Sequence, residues 1–91
     1  MNGQNKMNIP EWKAVGIIGE GTEFLIEDAN VWDKQWQRIS GSRITLPHPS
    51  YSGQTHNFDV YSMTTDTGPV MFATAEVSAN VWAFYVPSVP R

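Results

Sequence analysis

The sequence predicts an α+β fold that is mainly β. The expected form is an antiparallel, curved sheet or small barrel of five or six strands with one short helix at about 29–40, an all-β barrel being the alternative. Three observations predict it. The last third of the chain holds three runs, HNFDVYSM (56–63), VMFATAEV (70–77) and VWAFYVP (81–87), dense in aromatic and β-branched residues. Between them stand TTDTGP (64–69) and SAN (78–80), turn formers of the kind that join neighbouring antiparallel strands. Finally, 91 residues at 41% hydrophobic suffice for one modest core, burying roughly 60–65% of the surface that the unfolded chain exposes.

The first eight residues, MNGQNKMN, are polar and aperiodic and read as a disordered tail ahead of a single β-rich domain over 9–91. From Trp12 an apolar run reaches Ile18 and stops at Gly19-Glu20-Gly21, where glycine admits a tight turn. A second run follows at 22–27, so strands 11–18 and 22–27 are expected to pair as a hairpin. In DANVWDKQWQRISG (28–41), Trp32, Trp36 and Ile39 recur at helical spacing, with Asp28 or Asn30 as N-cap and Gly41 beyond the C-terminus. A short helix is expected there.

Arg43 to Leu46 reads as a further strand, stopped by Pro47-His48-Pro49, because proline removes a ladder donor. The stretch to Thr55 is the longest irregular loop, and loops on rigid sheets are where binding groups tend to sit. VWAFYV is apolar at successive positions, which marks a strand covered on both faces. The tetrapeptide ANVW occurs at 29–32 and again at 79–82, without further identities at that offset.

Composition excludes some functions. A net charge of −3 and six scattered basic residues make no phosphate-binding surface, so no nucleic-acid partner is expected. No stretch approaches the roughly 20 apolar residues of a membrane helix, and no membrane partner is expected. The chain has no cysteine, hence no disulfide or thiolate ligand, and a cytoplasmic location is the expectation.

Two groups of residues could carry a function. Trp32 and Trp36, with Tyr51, could form an aromatic platform, and Arg38 stands close by in sequence. His48, His56 and Asp59 are the candidates for acid-base chemistry, although His56 and Asp59 at a spacing of three on a strand point to opposite faces. Glu20, Glu23, Glu27, Asp28 and Asp33 place five of nine acidic residues within fourteen positions, a locally negative face. G-I-I-G-E-G (16–21) fails the dinucleotide spacing, and no nucleophile elbow occurs.

The expected function is therefore that of a small interaction module. It would bind another protein, or another copy of itself, through an aromatic and acidic surface, as an inhibitor- or immunity-type protein would. The alternative is a small ligand-binding or hydrolytic domain with its site at the 47–56 loop, formed by His48, Tyr51, His56 and Asp59 against Trp32 and Trp36. No catalytic set, cofactor or metal is expected.

Overall fold

The computed structural model describes residues 11–88, and the tail expected over 1–8 lies outside them. Eight strands carry the chain: β1 (Glu11–Gly19), β2 (Leu25–Ile26), β3 (Ala29–Asn30), β4 (Gln37–Arg38), β5 (Ile44–Pro47), β6 (Thr55–Thr65), β7 (Gly68–Ser78) and β8 (Val81–Ser88). Six form one antiparallel sheet in the order β1-β8-β7-β6, with β4 and β5 sharing the far edge of β6. The runs 56–63, 70–77 and 81–87 thus become the β6-β7-β8 meander, and VWAFYV is packed on both faces, Ala83 and Tyr85 on one and Trp82 and Phe84 on the other, as its unbroken apolar character predicts.

The sheet is not closed into a barrel: β1 and the β4/β5 edge end the strand order without pairing to each other. It is nevertheless strongly curled. Tyr85 Oη on β8 donates a 2.6 Å hydrogen bond to the Pro47 carbonyl on β5. Three strand spacings, about 14 Å, would separate these strands if the sheet were flat, more than a tyrosine side chain spans. The curl brings β5 round towards β8 over the inner face. Alanines line that face where neighbouring strands crowd: Ala83 pairs with Ala75, and Ala73 with Tyr85.

Both faces of the sheet are covered. Phe58, Val60, Ala73, Ala75, Ala83 and Tyr85 form the inner core, with Trp12, Ile17, Ile44 and Leu46 packed against it. Alternation along the same strands sends Tyr61, Phe72, Trp82 and Phe84 to the outer face, where Val31 and Trp36 complete a second cluster. Trp12 and Ile17 are five apart, an odd spacing that would set them on opposite faces of a regular strand. The register slips between Ala14 and Gly16, leaving Val15 as an extra residue, and this bulge turns both towards the inner core.

Two expectations are corrected. The hairpin of 11–18 with 22–27 does not form: β1 pairs with β8, and β2 pairs with β3. After Gly19 the chain turns, Glu20 N–H donating to the Asn80 carbonyl and Thr22 N–H to Gly19, and leaves the sheet to lie across its outer face. The helix at about 29–40 is also absent, and residues 11–88 contain no helix.

The reason lies in the residues that suggested helix caps. Asp28 sits in the left-handed region (φ 69°) of the β2–β3 turn. Asn30 Oδ1 accepts from Trp32 N–H and Asp33 Oδ1 from Gln35 N–H, two local turns that compete with helical bonding. The helical spacing of Trp32 and Trp36 reflects a different constraint, because both side chains pack against the sheet from turns.

The β2–β3 turn stores strain that can be relieved. Glu27 (φ 52°) and Asp28 (φ 69°) occupy the two central positions of a two-residue hairpin loop, where Asn-Gly is preferred. Glu27→Asn with Asp28→Gly is expected to stabilise the protein by about 1 kcal/mol. A higher urea midpoint with an unchanged m value is the readout, and a lower midpoint would show that the two carboxylates serve the fold.

Candidate functional site: an aromatic pocket with an acidic rim

The outer face carries a pocket of about 260 Å³. Five strand residues line its sheet side: Tyr61 from β6, Phe72 and Thr74 from β7, and Trp82 and Phe84 from β8. The turns after β3 supply Trp32 and Trp36, and two carboxylate residues, Glu20 and Asp33, complete the wall from separate loops.

The rings are set largely at right angles. Trp32 meets Phe84 edge to face at 5.7 Å and Trp82 at 6.3 Å, and Trp36 meets Phe72 at 4.8 Å. Tyr61 stacks on Phe72 at 5.5 Å. Such arrangements suit the ring quadrupoles and are more favourable than burial alone. Hydrogen bonds fix both turn indoles: Trp32 Nε1 donates to the Thr22 carbonyl at 2.7 Å, and Trp36 Nε1 to Asn30 at 2.9 Å. Trp82 Nε1 is buried and has no acceptor among the described residues. The two ANVW segments meet here, since their tryptophans are the Trp32–Trp82 pair.

Trp36 is a core residue that also lines the pocket, whereas Trp32 is half-buried and forms part of its accessible wall. Arg38 pairs across β4–β6 with Tyr61, which brings it to the same face, but it does not line the pocket. Asp59 is held by Arg43, whose Nε lies 3.2 Å from Oδ1. The pocket residues that the sequence reading passed over, Tyr61, Phe72, Trp82 and Phe84, were detectable through alternation: 82 and 84 share one face of β8, opposite 83 and 85.

His48, Tyr51 and His56 gather elsewhere, at the β5–β6 loop. The His48 ring lies 4.7 Å from Tyr51 and 5.8 Å from His56. His56 has the strand parity of Phe58 and Val60, which places it on the inner face, so the sheet separates these residues from Trp32 and Trp36. The composite site of the 47–56 loop with the two tryptophans therefore does not assemble.

His48 itself holds the loop. Its Nδ1 accepts from Ser50 N–H at 3.0 Å and Tyr51 N–H at 3.2 Å, while its backbone N–H donates to Gln54. The Nδ1 lone pair is thus engaged by the backbone of the loop. His56 Nε2 is buried without a partner among the described residues. Tyr51 is 61% exposed at the tip of the loop. Among the described residues, no group of three or more His, Cys, Asp or Glu is placed to hold a metal ion, and no helix is long and apolar enough to cross a membrane.

Tyr85 is the tether between this loop and the sheet, and burial raises its phenol pKa above the ordinary value. The folded protein thus holds this proton more tightly than the unfolded chain does. The resulting stability is intact below about pH 10 and is lost as pH rises through the raised value. Tyr85→Phe is expected to flatten this alkaline decline when urea midpoints are followed upward from pH 9. An unchanged slope would show that other groups govern it.

Comparison of the chain with protein-family models, with curated proteins and with solved structures finds no match.

Proposed function

We propose that the protein is a small interaction module that binds another protein at the outer face, with the acid-rimmed aromatic pocket as the centre of the contact. The observation that carries this reading is the pocket itself, where six aromatic side chains and two carboxylate residues surround one concavity. Aromatic residues in a concavity are the usual anchors of protein interfaces. The two anchoring hydrogen bonds keep Trp32 and Trp36 in place before a partner arrives, which lowers the ordering cost of binding.

The test is a pair of photo-crosslinking variants. One carries the crosslinker in place of Lys34, an exposed neighbour of Asp33, and the other in place of Ser52 on the β5–β6 loop. In extracts of the native host, position 34 should give a discrete adduct and position 52 none. The captured protein, once purified, should bind the chain and lose that binding to Trp32→Leu, whose fold is checked by circular dichroism. An adduct of twice the chain mass would identify a second copy as the partner. No adduct at position 34, or equal adducts at both positions, sinks the proposal.

A further inference from the structure

Resting on that reading, we infer that the pocket receives a cationic side chain of the partner protein, an arginine in preference to a lysine. Its volume of about 260 Å³ is the first ground. Sites that enclose drug-sized molecules run from roughly 300 to 1,000 Å³, and this smaller space is ample for a single side-chain head.

Charge is the second ground. Among the described residues, Glu20 and Asp33 are the only charged ones that line the pocket, and both are acidic. The Glu20 side chain makes no hydrogen bond or ion pair among the described residues. Asp33 uses Oδ1 for Gln35 N–H, which leaves Oδ2 for a ligand. The cations nearby in sequence or sheet, Lys34 and Arg38, do not line the pocket. A guest with a carboxylate or phosphate would meet like charge at the rim, whereas a cation would be attracted there.

Ring orientation is the third. Trp32 and Trp82 are half-buried and set edge to face, while Phe84 is buried beneath them, so the indole surface left open at the pocket is what a cation can lie against. A guanidinium meets both requirements together, its plane lying on an indole while its edge donates in pairs to a carboxylate. An ammonium provides the charge but not the flat surface.

The chain contains its own control. Of its four tryptophans, Trp32, Trp36 and Trp82 line the pocket, while Trp12 packs against the inner core on the other side of the sheet. In a titration of the ¹⁵N-labelled protein with N-acetyl-arginine amide, the indole N–H signals of Trp32 and Trp82 should move saturably while that of Trp12 stays fixed. The neutral isostere N-acetyl-citrulline amide should bind at least ~10-fold more weakly. Glu20→Gln with Asp33→Asn should weaken the arginine probe by ~5-fold or more, and because both sites are exposed and Asn keeps the Oδ1 acceptor, the fold is not at stake.

Equal binding of the citrulline probe, shifts at Trp12 as large as those at Trp32, or no saturable response up to ~50 mM would overturn the inference. A crosslinked partner at position 34 together with a silent arginine titration would overturn this inference alone and leave the interaction module standing.

Discussion

Trp36→Ala is expected to remove about 3–5 kcal/mol of stability, the largest single effect on the outer face. Trp36 is 6% exposed and packs edge to face on Phe72 at 4.8 Å. Its removal also strips the Asn30 carbonyl of the indole N–H that satisfies it at 2.9 Å. A domain of this size has a total stability of roughly 5–14 kcal/mol, so the loss is about a fifth of the whole or more. Thermal melting should move down by at least ~12 °C. Trp36→Phe separates the two contributions, since it keeps most of the ring contact and deletes the donor, and it should cost less than half as much. A fully stable Trp36→Ala protein would mean that this indole is an interface residue that the fold does not need.

Phe58→Ala should be as costly, about 3–5 kcal/mol, and for a reason specific to the inner face. Phe58 is 0% exposed and its ring meets Tyr85 edge to face at 5.3 Å. Around it stand Ala73, Ala75 and Ala83, whose short side chains cannot swing into the space left behind. A cavity that does not collapse carries its full cost, so this site belongs at the upper end of the range. Phe58→Leu, which restores most of the volume, should recover more than half of the loss, as read from urea midpoints. If Phe58→Ala and Phe58→Leu melted alike, the inner face would be loosely packed and the strong curl inferred from the Tyr85–Pro47 bond would be wrong.

The meander was legible because its signals are local. Two-residue breaks at Asp66-Thr67 and Ala79-Asn80 set the registers Thr65 to Gly68 and Ser78 to Val81, and aromatic and β-branched residues fill the strands between them. The partner of β1 was not legible in this way. Its apolar run could serve any neighbour, and what selects β8 is a register running from Glu11–Ser88 to Gly19–Val81, contacts between residues far apart in sequence. The 28–41 segment misled for a chemical reason: aspartate and asparagine cap helices and close turns with the same oxygen, and Asn30 and Asp33 use theirs in turns.

The candidate site was half legible. Trp32 and Trp36 were identified from their own spacing, and Glu20 and Asp33 from the acidic stretch, while Phe72, Trp82 and Phe84 read only as strand core. Deciding which strand residues face the turns requires knowing which side of the sheet the 20–36 segment crosses, and that follows from the Glu20–Asn80 bond, a contact across sixty residues. The grouping of His48, Tyr51 and His56 followed from the loop, but the opposing faces of the sheet assign them a different role from the tryptophans.

The pairing of β1 with β8 also sets an order of assembly. The ladder closes a loop that spans nearly the whole described chain, whereas β6, β7 and β8 join through two-residue turns and meet at small entropic cost. The strand that leaves the ribosome before the others is therefore the last to find its place. Until it docks, the nascent meander shows β8 as a bare border rich in Trp82, Phe84 and Tyr85, an unpaired edge of the kind through which incomplete chains can associate.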